Sequence, residues 1–149
     1  ENKELGYVGK PKRVDAKLLK EIIKDDFVPV IVPMGLDEKG ISYNINADTA
    51  AGAISRSIKS RRLMLLTDID GVLDNNDKLI SEINTMQAKE LINNEVIHGG
   101  MIPKVKTCID AINNGVRAVV IIDGRKPHSI LFELFSDKGA GTLIRKWKI

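Results

Sequence analysis

Two short runs dominated by apolar residues, Leu63 to Leu66 and Val116 to Ile122, are each followed by an aspartate and then a glycine. Near-continuous apolar runs of this length read as strands covered on both faces, because a strand with one wet face alternates instead. Helical periodicity surrounds them. Ala47, Ala50, Ala51, Ile54 and Ile58 form one stripe before the first run, and Val105, Cys108, Ile109 and Ile112 form another before the second. Covered strands interleaved with amphipathic helices predict an α/β fold, a three-layer sandwich whose largely parallel sheet is covered by helices.

The rest of the chain fits that alternation. Asp15 is placed to cap a helix carrying Leu18, Leu19, Ile22 and Ile23, and Phe27 to Pro33 then reads as a buried strand. After a polar turn at Asp37 to Gly40, Asn46 and Asp48 open the next helix. Gly71 to Ile80, centred on Asn75-Asn76-Asp77, reads as a hairpin, followed by a helix over Thr85 to Ile92. Pro103 suits the first helical position and Asn114-Gly115 a C-terminal stop. Ile130, Leu131, Leu134 and Phe135 mark a short helix, and Gly141 to Arg145 a last strand. With 149 residues, no internal repeat and no linker-like stretch, residues 1–149 are expected to form one domain.

Composition narrows the partners. The net charge of +3 is mildly basic, but cations and anions interleave except around Lys10, Lys12 and Arg13, which argues against a nucleic-acid partner. Trp147 stands alone, so no stacking platform is visible. The single cysteine, Cys108, falls on the apolar side of its helix and reads as inert packing in a reducing compartment. No apolar run approaches the roughly 20 residues that span a bilayer, and Glu1-Asn2-Lys3-Glu4 lacks a signal-peptide pattern. The expected location is the cytoplasm or a plastid stroma. His98 and His128 have no Cys or carboxylate at ligand spacing, so no protein metal site is expected.

Three segments carry candidate chemistry. Asn44-Ile45-Asn46-Ala47-Asp48 brings two carboxamides and a carboxylate to a helix entry, where they would grip a small polar ligand or simply cap the helix. Thr67-Asp68-Ile69-Asp70-Gly71-Val72-Leu73 follows a strand and so belongs at the carboxyl edge, where open α/β sheets bind ligands. It allows two chemistries: Asp68 and Asp70 resemble the nucleophile and acid of haloacid-dehalogenase-type phosphatases, or Gly71 and its neighbours let main-chain amides approach a nucleotide phosphate. Gly99-Gly100-Met101-Ile102-Pro103-Lys104 feeds a helix N-terminus and brings an ammonium toward an anion. Neither Gly-x-x-x-x-Gly-Lys-Ser/Thr nor Gly-x-Gly-x-x-Gly occurs.

The segments Leu5 to Gly9, Tyr43 to Ala53, Thr67 to Asp74, Gly99 to Ile109 and Ile121 to Arg125, with His128, Leu134 and Phe135, together resemble the acetylglutamate kinases of the amino-acid kinase family. Five motifs agree in order and spacing, whereas the phosphatase reading uses one. Glutamate 5-kinase and aspartokinase share the fold but match Asn44 to Asp48 and Gly99 to Val105 less well. The resemblance implies ATP with Mg2+ as donor and N-acetyl-L-glutamate as acceptor in arginine synthesis. Lys104 would stabilise the transferring phosphoryl group and Asp48 would orient Lys104. Asn44 and Asn46 would contact acetylglutamate. Asp68, Ile69, Asp70, Gly71, Val72 and Leu73, with Gly99, Gly100 and Met101, would hold the nucleotide. His128, Glu133, Gly139 and Gly141 resemble a segment that binds arginine as inhibitor in hexameric members, so a homo-oligomer is expected of the complete enzyme. The family's opening Lys-x-Gly-Gly strand, Gly-Gly-Gly-Pro segment and substrate-binding Arg do not occur here, so the chain resembles the C-terminal half, with the N-terminal lobe absent; the alternative reading is a non-catalytic fragment that binds a nucleotide or arginine without turnover.

Overall fold

The computed structural model describes residues 6–146; Leu5 of the first matching segment and Trp147 lie outside them. In chain order the elements are β1 (Val8–Gly9), α1 (Ala16–Lys24), β2 (Met34–Leu36), β3 (Ser42–Ile45), α2 (Ala47–Ile58), β4 (Arg62–Thr67), β5 (Glu82–Asn84), α3 (Thr85–Asn93), α4 (Met101–Asn113), β6 (Ala118–Asp123), α5 (Ser129–Phe135) and β7 (Gly141–Arg145). They make an α/β fold with two sheets, ordered β1-β3-β2 and β4-β6-β7-β5. In the larger sheet β4 and β6 are parallel, β7 runs antiparallel to β6, and β5 is parallel to β7.

The two apolar runs become β4 and β6, and their burial explains their composition. Every residue of β6 from Val119 to Asp123 is buried, while β4 buries Leu63 and Leu65 and leaves Arg62 and Leu66 exposed. Val119, Ile121, Leu63, Leu65 and Ile144 face Val105, Cys108, Ile109 and Ile112 of α4 and Ala88 of α3 in one apolar cluster. Caps follow the chemistry of the sequence. Asp15 accepts from the amides of Lys17 and Leu18, and Asn84 with Gln87 forms a complete capping box at α3. The reversal around residues 74–78 is the expected hairpin, reduced to one antiparallel bridge between Leu73 and Leu79.

Three expectations need correction, and four short strands had no sequence signal. Phe27 to Pro33 forms no strand: Val28, Val30 and Val32 are 87%, 93% and 66% exposed, and among the described residues no strand lies alongside them. Pro29 and Pro33 also lack the N–H that a central strand needs. Helix α4 begins at Met101, which makes Pro103 its third residue, still within the turn whose N–H groups have no helical partner. Strands β1, β2, β3 and β5 escape a periodicity reading because each has only two to four residues. In α5, finally, Ile130, Leu131, Leu134 and Phe135 are exposed while Ser129 and Glu133 are buried.

Candidate functional site

Helix α2 leads into β4 and α4 into β6 through short connections, so each helix returns its C-terminus to the start of its strand. A helix of 12 or 13 residues and a strand of 6 are of similar length, roughly 18–20 Å, which brings both helix N-termini to the carboxyl edge of the strands. Side-chain pairs show that the two helices run in the same direction. Asp48 meets Lys104, Gly52 meets Thr107 and Arg56 pairs with Asp110, so the numbers rise together along both helices. Residues 48, 52 and 56 recur every four positions and therefore form one stripe of α2.

At the top of this stripe Lys104 Nζ donates to Asp48 Oδ2 at 2.7 Å, joining side chains 56 positions apart, each about a quarter exposed. Two helix N-termini thus share one ion pair that still reaches solvent. Asn46 caps α2, its Oδ1 accepting from the amide of Thr49 at 3.1 Å and from the Thr49 hydroxyl at 3.3 Å. Asn44 lies two residues earlier, on the central strand β3, and is exposed. Of the two carboxamides, Asn46 therefore does a helix cap's work and Asn44 does not.

Gly99 and Gly100 stand at the start of α4. Gly99 has φ +54°, which favours glycine, but Gly100 has an ordinary helical φ of −66°, and a Cβ on either residue would meet nothing within 4 Å. Neither crowding nor backbone geometry demands a glycine at position 100. Met101 packs partly against the core cluster.

Parallel pairing of β4 and β6 ends with Thr67 opposite Asp123, and the Gly124 amide continues it by donating to Thr67 O at 2.8 Å. Beyond this point the 68–73 segment divides. Asp68 and Ile69 are exposed and Asp70 is half-buried. Gly71, at φ +146°, leaves no room for a side chain, since a Cβ would come within 2.6 Å of Thr142 Oγ1. The Val72 amide donates to Thr142 Oγ1 at 2.8 Å, its carbonyl accepts from Ile80, and its side chain is buried. Val72 is committed to the interior with its amide taken by Thr142, which corrects the expectation that this amide faces a ligand, and Leu73 is bridged to Leu79. Asp68 to Asp70 remain at the edge, whereas Gly71 is buried against Thr142 and Leu79, which corrects its expected place beside the ligand.

The turn after β6 supplies cations that sequence reasoning did not assign to a site. Arg125 clasps the buried Asp123 carboxylate through its backbone amide at 2.9 Å, Nε at 3.0 Å and Nη2 at 2.9 Å, which holds that carboxyl at about 2. Lys126 Nζ lies 2.7 Å from Asp70 Oδ1. The only sequence signal was the Asp-Gly-Arg-Lys spacing after an apolar run. For the phosphatase alternative these contacts are unfavourable: Lys104 sits on Asp48, and the acid at the end of β6 is already clasped by Arg125.

Of the proposed effector residues, Gly139 lies beside Glu133, whose partners are already in place. Glu133 Oε1 accepts from Arg62 Nη1 at 3.1 Å and Oε2 from the Ala140 amide at 2.8 Å, while Gly139, at φ +68°, runs beside Oε2. A guanidinium is present there, supplied by this chain. Gly141 pairs with Ile122, and a Cβ on it would collide with the Ile121 carbonyl. His128, at φ +59°, is the N-cap residue of α5 and makes no side-chain cap bond. Burial pushes the Cys108 thiol up to about 12, helped by the Asp48 charge. Among the described residues no three His, Cys, Asp or Glu side chains gather as a metal site, and no helix is long and apolar enough to cross a membrane.

A sequence model described as the amino acid kinase family matches residues 1–123. The acetylglutamate kinase of Pelagibacter ubique (strain HTCC1062) is 61% identical over 98% of this chain and 51% of its own length. That of Rhodopseudomonas palustris (strain BisB18) is 50% identical over 96% of this chain and 48% of its own. The chain thus spans about half the length of these curated relatives. Among solved structures, the N-acetylglutamate synthase of Neisseria gonorrhoeae complexed with coenzyme A and L-arginine superposes with a TM-score of 0.90 at 24% identity, over 96% of this chain and 33% of that one. Carbamate kinase from Giardia lamblia bound to AMP-PNP gives 0.71 at 20% identity, over 94% and 47%. At these identities the two structures speak for the fold alone.

Proposed function

The chain belongs to the amino acid kinase family, and from that premise we propose that it forms the nucleotide-holding part of an acetylglutamate kinase. In the proposed reaction the side-chain carboxylate of N-acetyl-L-glutamate attacks the γ-phosphorus of ATP. The new oxygen–phosphorus bond forms as the bond from the γ-phosphorus to the β,γ-bridging oxygen breaks, giving an acyl phosphate and ADP. The nucleophile is already anionic at neutral pH, so no general base is required. The protein's task reduces to alignment and to neutralising charge that moves between oxygens.

One observation carries the reading: an ammonium and a carboxylate meet, still solvent-accessible, where two helix N-termini and two strand ends converge. Lys104 is the group able to follow charge on the migrating phosphoryl, and Asp48, fixed on the first turn of α2, holds the ammonium in place. Asp48 acts as a positioning residue and takes no proton. The unfilled space at Gly100 suits main chain approached closely by phosphate, with Gly99 and Met101 beside it. Asp68 to Asp70 line the same rim, and the exposed Asn44 is free to meet the acceptor. Mg2+ enters with the ATP phosphates as part of the substrate.

The test is a coupled ADP-release assay with ATP and N-acetyl-L-glutamate. It is run on this chain alone and on a chimera in which the chain replaces the matching stretch of the Pelagibacter ubique relative. Acetylglutamate-dependent ADP release by the chimera supports the reading. Its absence in a folded chimera contradicts it.

A further inference from the structure

Asp68 stands exposed and Asp70 half-buried at the rim where the proposed function puts a polyphosphate, and two carboxylates there would repel it. The structure places two cations against them. Lys126 Nζ is 2.7 Å from Asp70 Oδ1, and the Arg125 guanidinium, held in the β6 turn by Asp123, lies within the field of both Asp68 and Asp70. The Lys126–Asp70 pair is about half exposed on each side, so it adds little to fold stability. Its effect is on the charge of the edge. The same turn is tied to β4 by the Gly124 amide on Thr67 O, which keeps the cations in register with residues 68–71.

We propose that Lys126 is a positioning residue of the nucleotide site: paired with Asp70, it neutralises the acidic turn at the end of β4 and orders it so that a polyphosphate can approach. Arg125 assists as a fixed second cation, immobilised by three bonds to Asp123. The inference rests on the nucleotide reading given above and adds to it a residue from the turn after β6, acting through Asp70.

The experiment is calorimetric titration of this chain with MgADP, comparing the unaltered chain with Lys126→Met, Asp70→Asn and the double variant. Loss of one near-surface charge is expected to weaken binding by about tenfold in Lys126→Met. Removing the carboxylate as well is expected to restore affinity to within about threefold of the unaltered chain, because the lysine acts by cancelling that carboxylate. Thermal midpoints should match throughout, since both side chains are on the surface. An unchanged Kd for Lys126→Met overturns the inference while leaving the nucleotide reading intact. A double variant as weak as Lys126→Met also overturns it, since the ammonium would then act on the nucleotide itself. No MgADP binding by the unaltered chain overturns the nucleotide reading and this inference with it.

Discussion

Gly52 of α2 lies so close to Thr107 of α4 that a Cβ at position 52 would come within 2.8 Å of the threonine methyl. This contact sits one helical turn below Asp48 and Lys104 on the same stripe, so the distance between the two helix N-termini depends on it. Gly52→Ala sets two effects against each other. Alanine is favoured over glycine inside a helix by about 1 kcal/mol, whereas forced contact in a packed interface costs about 1–3 kcal/mol. The clash is expected to win, giving net destabilisation in urea unfolding. In a Thr107→Ser background, which lacks the methyl, the same substitution should become neutral or stabilising. A stabilising Gly52→Ala in the unaltered background would show that the helices are not held this close.

Cys108 is fully buried and its thiol is pushed up to about 12, so almost no thiolate exists at neutral pH. Reaction with an aromatic disulfide reagent at pH 8 should therefore follow global unfolding and accelerate with denaturant. Stoichiometric labelling within seconds in native buffer would contradict the packing of α4 on the sheet.

The Asp123–Arg125 clasp has a defined pH signature. Its carboxyl is depressed to about 2 from an ordinary value near 3.9, so the clasp's contribution is fully present above about pH 4. It is lost as pH falls from there through about 2. The stability difference between the unaltered chain and Asp123→Asn should be constant from pH 8 to 5 and shrink on further acidification. A difference that grows as pH falls would have the wrong sign.

Glu133 is buried and joins α5 to Arg62 at the start of β4 and to the loop before β7. Removing its cation by Arg62→Met leaves a buried carboxylate without its guanidinium; because Arg62 is partly exposed and the Ala140 amide stays, the expected cost is about 1–3 kcal/mol. Glu133→Gln in the same background should recover part of the loss by removing the stranded charge. Equal instability in both variants would make packing, and not charge, the reason for the pair.

Legibility followed burial and locality. Strands β4 and β6 were readable because both faces are apolar, and the α2 start because Asn46 and Asp48 suit a first turn chemically. Phe27 to Pro33 was misread for the same reason. Apolar composition records a tendency to be covered, and within the described residues nothing covers Val28, Val30 or Val32. In α5 the apolar spacing marked a helix correctly but not the side it turns inward, which is decided by Glu133 meeting Arg62 71 positions away. Lys104 drew attention through its neighbouring glycines. Its partnership with Asp48, the Gly52–Thr107 contact and the Lys126–Asp70 pair are long-range and leave no periodic trace. Val72 looked available in sequence because nothing local reveals that its amide is taken by Thr142, 70 positions on.

In the proposed reaction Lys104, held by Asp48, neutralises the phosphoryl group in flight. The most direct test is steady-state kinetics of the chimera carrying Lys104→Ala. The expected result is a fall in kcat of about a hundredfold or more with nucleotide KM changed only a few-fold, because an interaction made only in the transition state is lost. An unchanged kcat would remove Lys104 from the chemistry and leave the Lys104–Asp48 pair as a structural contact between two helices.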